Sequence, residues 1–285
     1  MIAAIGGMLA GLVLGGLLWT LLEPSLHCDA LIRENYRGRS VVTASGVLIP
    51  LTMVVAAGLL RFLQQAASWQ PGWDQLVGPS VTAALGFALF GLIDDVAGVG
   101  ESGGFTHHVR SLAEGRLTTG MLKLIGGAAV ALLTSAALAL SDGGVVGMLR
   151  DAAVVALAAN AFNLLDRRPG RSTKAGLLVF AGLLVWSRSP SLTGPGVGLG
   201  AAVALLPAEM RERVMLGDAG ANALGAILGL SALAAFPPAG ARWVLFAVLL
   251  AFNIGSEFVS YSKVIDAFGP LRFLDGLGRS GEEAA

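Results

Sequence analysis

Charged residues are scarce in this chain. Asp, Glu, Lys and Arg together make up 13% of its 285 residues, whereas soluble domains carry about 25%. Apolar residues make up 55% of the sequence, and the mean hydropathy is +0.74. This composition excludes a soluble enzyme with a single anchor and predicts a protein that crosses a membrane several times.

Cysteine and histidine are also rare. The single cysteine, Cys28, excludes an internal disulfide and a metal site built from cysteines. His107 and His108 are neighbours and would point in different directions on a helix, which favours exposed or supporting histidines over metal ligands. The N-terminus lacks the basic region of a signal peptide, so we expect the first apolar segment to be retained. The net charge of zero gives no indication of a nucleic-acid partner, and we expect none.

Long apolar runs dominate the rest of the chain. About twenty apolar residues cross the hydrocarbon core of a bilayer, and the forty glycines suit closely packed membrane helices. We therefore predict an all-α fold, a single transmembrane helical bundle over residues 1–285 with about nine spans. The candidate spans are 2–22, 41–62, 76–93, 119–140, 145–165, 174–187, 193–208, 219–236 and 241–261. Residues 264–279 alternate apolar and polar groups, which predicts an amphipathic helix lying on the membrane.

The basic residues predict the orientation of this bundle. Arg61, Arg150, Arg188 and Arg242 fall in one set of loops, and all other Lys and Arg residues fall in the opposite set. Loops rich in Lys and Arg stay in the cytoplasm. We therefore expect the N-terminus outside, the C-terminus inside and the chain in the cell membrane.

Acidic residues lie at the ends of three predicted spans. Asp94 and Asp95 end the third span, Asp166 ends the fifth, and Asp218 opens the eighth. A charge in the bilayer centre costs about 2.5–3.5 kcal/mol on insertion scales, so carboxylates at these borders need an explanation. One explanation is that these acids merely end a helix in water, although acids at a helix C-terminus interact unfavourably with the helix dipole. Gathered on the cytoplasmic face, the four could instead bind a divalent cation and a phosphorylated substrate.

Polar residues recur along the helix that ends at Asp166. Asn160, Asn163 and Asp166 are spaced by three and would share one stripe, either as contacts between helices or as part of a site. Four cations follow, which could clamp a pyrophosphate or merely reflect the positive-inside rule. They are Arg167, Arg168, Arg171 and Lys174.

The last cluster opens an Ala- and Gly-rich span. Asp218 is expected at the N-cap of this helix, where Asp is favoured. The free N–H groups of a helix N-terminus also attract anions, so an N-cap and a phosphate or metal site are compatible. Asn222, one turn further in, is a candidate supporting amide.

Taken in order, these motifs resemble the polyprenyl-phosphate N-acetylhexosamine-1-phosphate transferase superfamily. This superfamily includes the phospho-MurNAc-pentapeptide translocase and the GlcNAc-1-phosphate transferases. Gly91 to Asp95 resembles its Gly-x-x-Asp-Asp motif, Asn160 to Asp166 its Asn-x-x-Asn-x-x-Asp motif, and Gly217 to Gly220 its Gly-Asp-x-Gly motif. Lys123 resembles the lysine that opens the fourth span.

The resemblance implies an enzyme of cell-envelope glycan synthesis. A polyprenyl phosphate would attack the β-phosphorus of a nucleotide-sugar, usually a UDP-N-acetylhexosamine, giving lipid-pyrophosphoryl-sugar and UMP. Mg²⁺ would be required, with Mn²⁺ as an alternative, and Asp218 and Asp95 are the expected metal ligands. Asp94 and Asp95 would handle the acceptor phosphate, whereas Asp166 and Asn163 would contact the donor. The membrane is the other expected partner, and a homodimer is an open alternative.

The chain departs from the family pattern where the donor would bind. The family's second acid after Asp166 is replaced within Arg167-Arg168-Pro169-Gly170, and Ala204 stands where many members have asparagine. The histidine-rich motif near the C-terminus is absent. Two alternatives therefore remain, a relative that binds polyprenyl phosphate without turnover and a transporter that uses the acids as an ion pathway.

Overall fold

The computed structural model describes residues 1–67, 76–98, 111, 114–137, 144–187, 192–236 and 239–279. These residues are 82% helical and contain eleven α-helices. His107 and His108 lie outside the described residues.

Nine helices of the described ranges correspond to the nine predicted spans. They are α1 (Ile2–Leu26), α2 (Leu48–Ala67), α3 (Val77–Ala97), α4 (Thr119–Ala137), α5 (Gly144–Leu165), α6 (Arg171–Ser187), α7 (Thr193–Met210), α8 (Gly217–Ala235) and α9 (Ala239–Gly255). Six of them, α1 to α5 and α8, are long and apolar enough to cross a membrane. The structure therefore supports a membrane protein, and the number of nine crossings stays a prediction.

A small β-sheet lies in the first loop, which the all-α prediction did not include. Strands β1 (Ile32–Glu34) and β2 (Ser40–Val42) pair antiparallel. The Asn35 side chain accepts hydrogen bonds from two backbone N–H groups of the intervening turn, and Gly38 has a φ of +70°. The predicted second span begins at Leu48 rather than at residue 41, because residues 40–42 form β2.

The predicted amphipathic helix at 264–279 is divided into two. Helix α10 covers Tyr261–Ala267 and helix α11 covers Gly269–Gly276, with Phe268 between them in an extended conformation. Pro270 explains the break, because in a continuous helix it would lack an N–H for the Asp266 carbonyl and its ring would clash with that carbonyl, whereas proline is tolerated in the first turn of α11.

Helix α8 is the centre of the bundle. It packs against α3, α5, α6 and α7, and every residue in it except Asp218 and Ala234 is buried. Its Ala- and Gly-rich sequence permits this, because a helix without a polar face can be surrounded by others and small side chains let backbones approach. The fold therefore holds the N-terminus of α8, with the partly exposed Asp218, at a fixed place at the end of the bundle.

An apolar groove of about 610 Å³ lies among α1, α2 and the N-terminal part of α7. Its lining includes Gly7, Met53 and Thr193. The acidic residues do not line it.

Candidate active site

The acidic site is built where α3 ends and α8 begins. Gly91 of α3 lies against the backbone of Asp218 and Ala219, and a Cβ atom at position 91 would overlap that backbone. The missing side chain therefore lets the two helices touch. Because Asp94 and Asp95 follow within one turn, this contact brings both carboxylates to the N-terminus of α8.

A lysine joins two of these carboxylates. Lys123, in the second turn of α4, donates hydrogen bonds through Nζ to Asp94 Oδ2 at 2.8 Å and to Asp218 Oδ2. The three side chains are 21–24% exposed. Asp94 and Asp218 thus converge on one position that holds a positive charge and that remains accessible from outside the bundle.

Asp95 caps the N-terminus of α8. Its Oδ1 accepts the backbone N–H of Asp218 at 3.1 Å, and its Oδ2 accepts that of Ala219 at 3.0 Å. Both N–H groups lie in the first turn of the helix, where they lack partners within the helix. The helix dipole also stabilises a negative charge at this end. The geometry accounts for Asp95 as a positioning group, and its predicted role as a metal ligand stays a prediction.

Asp218 is not the N-cap that the sequence predicted. Helix α8 begins at Gly217, and Asp218 lies in its first turn with its side chain directed to Lys123. Gly217 has a φ of +67°, and a Cβ atom there would lie 2.6 Å from Asp95 Oδ2. The capping role passes to Asp95, which leaves the Asp218 carboxylate available for chemistry.

Asp166 reaches the same place from the end of α5. Burial raises the pKa of its carboxyl well above the usual value, and the nearby carboxylates of Glu209, Asp218 and Asp95 raise it further, against a hydrogen bond from the Gly217 N–H. Asp166 therefore lies close enough to Asp95 and Asp218 to interact with their charges, and Lys123 links Asp218 to Asp94.

Glu209 is a fifth acid that sequence reasoning missed. It is 1% exposed near the end of α7, and Thr173 donates a hydrogen bond to it at 3.3 Å. Its position gives a sequence signal, because a glutamate at the end of an apolar run is as costly as the aspartates at the ends of the other spans. We name Asp94, Asp95, Asp166, Glu209 and Asp218 the acidic cluster.

The predicted amides have different surroundings. Asn160 donates a hydrogen bond to Asn253 of α9 at 2.6 Å, which is a contact between helices. Asn163 is half-buried near the C-terminus of α5, three residues before Asp166. Asn222 is buried and donates to the backbone carbonyl of Asp218 at 2.6 Å, so it supports the first turn of α8.

Most of the predicted pyrophosphate clamp is engaged elsewhere. Arg171 makes a two-pronged ion pair with Asp275 of α11 at 2.8–2.9 Å, and Arg168 pairs with Asp266 of α10 at 2.6 Å. Lys174 donates to the backbone carbonyl of Asp275. These cations attach the C-terminal helices to the bundle. Arg167 is exposed, and its role in substrate binding stays a prediction.

The ion pairs of Asp275 lead to a prediction about stability. Burial raises the pKa of Asp275, but hydrogen bonds from Arg171 and Arg279 outweigh it and bring the pKa to about 2. Removing one partner of a buried pair costs about 3–5 kcal/mol. We expect Asp275→Asn to lose that much free energy of unfolding at pH 7, measured by denaturant titration in mixed micelles.

The pH dependence of this loss has a defined sign. Because the folded pKa is depressed, the contribution of Asp275 is complete above its ordinary value of 3.8 and disappears as the pH falls through about 2. The matched control is Asp266→Asn. The Asp266 side chain is 39% exposed, and losing its ion pair is expected to cost about 1 kcal/mol or less. Equal losses in the two variants would contradict the assignment.

A polar cavity of about 280 Å³ opens beside Asp166. The first-loop hairpin, the loop after α5 and the end of α7 form its walls, which include Tyr36, Arg167 and Glu212. Arg37 and Arg168 both stack against the Tyr36 ring, at 5.2 and 5.4 Å from its centre. The cavity therefore offers room for a polar ligand next to the acidic cluster.

The donor set fits a magnesium ion only in part. Among the described residues, no group of three or more Asp, Glu, His or Cys side chains is arranged to hold a metal. Asp94 and Asp218 nevertheless lie on either side of the Lys123 ammonium group. Mg²⁺ is commonly held by one or two carboxylates together with substrate phosphates and water. The two carboxylates fit such a site.

No protein-family model matches this chain, and no curated protein matches it. The functional proposal therefore depends on the motifs and on the geometry of the acidic cluster.

Proposed function

We propose that this protein is a phosphoglycosyltransferase of the cell membrane. It transfers a sugar-1-phosphate from a nucleotide-sugar, a UDP-N-acetylhexosamine in the first instance, to a polyprenyl phosphate for cell-envelope glycan synthesis. The observation that carries the proposal is the Asp94–Lys123–Asp218 arrangement at the meeting point of three helices. This is a charged, partly open site at the end of otherwise apolar helices.

The reaction needs positioning and charge neutralisation more than acid–base chemistry. An oxygen of the lipid phosphate forms a bond to the β-phosphorus, and the bond from that phosphorus to the bridging oxygen breaks. The bridging oxygen leaves with its electron pair as part of the nucleoside monophosphate. Mg²⁺, or Mn²⁺, held by Asp94 and Asp218 would neutralise charge on the transferred group.

The chain's own residues supply the remaining parts. Lys123 holds an ammonium group beside Asp94 and Asp218, and in the proposal it neutralises phosphate charge next to the metal. Asp95 fixes the α8 N-terminus, so the separation of Asp94 from Asp218 is set before substrate binds. In the proposal, Asp166 and Arg167, which line the polar cavity, contact the donor together with Asn163.

The membrane location agrees with a lipid acceptor. The acids lie at helix ends, which suits a substrate whose phosphate sits at the bilayer surface and whose chain lies in the hydrocarbon. An ion pathway of a transporter would instead place polar groups near the middle of the membrane. The charge distribution of the loops supports a cytoplasmic site, where nucleotide-sugars are found.

The test is a donor panel. Purified protein in detergent with MgCl₂ and a polyprenyl phosphate is supplied with UDP-, CDP- and GDP-sugars in turn, and nucleoside monophosphate is measured. We expect release with at least one UDP-N-acetylhexosamine, dependent on the lipid phosphate and abolished by EDTA. Binding of the lipid phosphate without release from any donor would indicate a non-catalytic relative and contradict the proposal.

A further inference from the structure

The C-terminal segment, residues 258–279, has its polarity reversed relative to a water-exposed helix. The only buried residues of 261–279 are two charged ones, Asp275 and Arg279. The large apolar side chains of the segment are exposed instead, with Phe258 at 82% and Phe273 at 68%. The others are Val259, Val264, Phe268, Leu271, Leu274 and Leu277, each 42–57% exposed.

Ion pairs hold the segment in this orientation. Asp275 lies between Arg171 and Arg279, with hydrogen bonds of 2.6–2.9 Å from both, and Arg279 also donates to the Pro169 carbonyl at 3.2 Å. A pair so placed fixes the rotation of α11 about its axis. The exposed apolar face is therefore a consequence of specific contacts and not of a loosely attached tail.

The same apolar surface continues onto α9. Trp243, Val244, Val248 and Ile254 are exposed along that helix, and Phe258 follows after its last turn. Helix α10 folds back against the end of α9, where the Tyr261 ring stacks on Phe252 at 4.2 Å and its hydroxyl donates to the Phe252 carbonyl. Exposed apolar side chains thus continue along the chain from α9 through Phe258 into the segment.

Exposed cations accompany this surface. Lys263 and Arg272 are both exposed within the segment. Apolar side chains flanked by Lys and Arg are the composition of helices that lie in the interface of a membrane, with their cations near anionic headgroups. A large exposed apolar patch of this kind marks a membrane or protein contact, and the neighbouring cations and the continuity with α9 favour the membrane.

We infer that the C-terminal segment lies in one leaflet of the bilayer, with its apolar face against the acyl chains and with Lys263 and Arg272 at the level of anionic headgroups. The partner of the segment is a lipid surface. The ion pairs of Asp275 join the segment to the part of the chain that follows Asp166. This inference does not depend on the proposed catalytic activity.

Site-directed spin labelling tests the inference. Because Cys28 is the single cysteine, Cys28→Ser gives a background without cysteine. Leu271→Cys, Leu274→Cys and Leu277→Cys are then labelled one at a time in nanodiscs that contain anionic lipid. Ser40→Cys, an exposed position in β2, is the matched control. Collision rates are measured with oxygen, which concentrates in lipid, and with a water-soluble nickel complex.

We expect the ratio of oxygen to nickel collisions at the three leucine positions to exceed that at Ser40 by at least about fivefold, because apolar faces of interfacial helices enter the acyl boundary. Three positions keep the test valid if one variant does not fold. Ratios equal to that of Ser40 would place the face in water and overturn the inference. Protection from both reagents, or spin–spin broadening between copies, would assign the face to a second copy and overturn it as well.

Discussion

Asp218→Asn is expected to lower nucleoside monophosphate release by at least about 10³-fold. The substitution keeps the shape of the side chain and removes the negative charge that meets Lys123 and, in the proposal, the metal. Losing one preorganised electrostatic group typically costs about 10²–10³-fold in rate, and in the proposal this carboxylate contacts both Lys123 and the metal. Fold should be retained, since the helix start depends on Asp95 and on the Asp218 backbone, not on the Asp218 carboxylate.

Initial rates of the purified variant at saturating donor provide the measurement. Asp29→Asn is the control, an exposed aspartate outside the acidic cluster that should retain wild-type activity. Size-exclusion profiles and helical circular dichroism should be the same for both variants. Full activity in Asp218→Asn would remove this carboxylate from the mechanism.

A single methyl group on α3 is expected to lower the rate of nucleoside monophosphate release by about 10²-fold. In Gly91→Ala the new Cβ would meet the backbone of Asp218 and Ala219, and backbone atoms cannot rotate away as a side chain can. Helix α3 must therefore move from α8, which carries Asp94 and Asp95 with it. Misplacement of reacting groups by about 1 Å costs about 10²-fold in rate, and overpacking costs about 1–3 kcal/mol of stability.

The same helix offers a matched control. Gly78 also lies in α3, and a Cβ atom there would meet nothing within 4 Å. Gly78→Ala should therefore leave activity unchanged. The account of the α3–α8 contact fails if the two alanine variants show the same activity and the same unfolding midpoint.

The acidic site could be predicted from the sequence because it depends on short motifs. Charges at the ends of apolar runs are easily recognised, and Asp94, Asp218 and Lys123 do meet in the structure. The motifs could not show which aspartate caps the N-terminus of α8 and which contacts Lys123. Asp95 caps the N-terminus of α8, the role predicted for Asp218, because the close approach of α3 at Gly91 places the Asp95 carboxylate there.

The remaining differences between the predictions and the structure arise from contacts between residues that are distant in sequence. Arg171 was predicted to bind substrate because its cationic run follows Asp166, yet its partner Asp275 lies 104 residues away. The β1–β2 hairpin was missed for a related reason. Its three-residue strands are stabilised by contacts outside themselves, including the bridge from Val42 to Val214, and local periodicity carries no such information.

The most direct test of the proposed function follows the phosphorus atom. A UDP-N-acetylhexosamine labelled with ³²P at the β-phosphate is incubated with purified protein, MgCl₂ and polyprenyl phosphate, and lipid and aqueous phases are separated. The account predicts that the label moves into the lipid phase as a pyrophosphoryl-sugar, in equal amount to the UMP released, and that Asp218→Asn prevents this. Label that stays in the aqueous phase with every UDP-N-acetylhexosamine would contradict it.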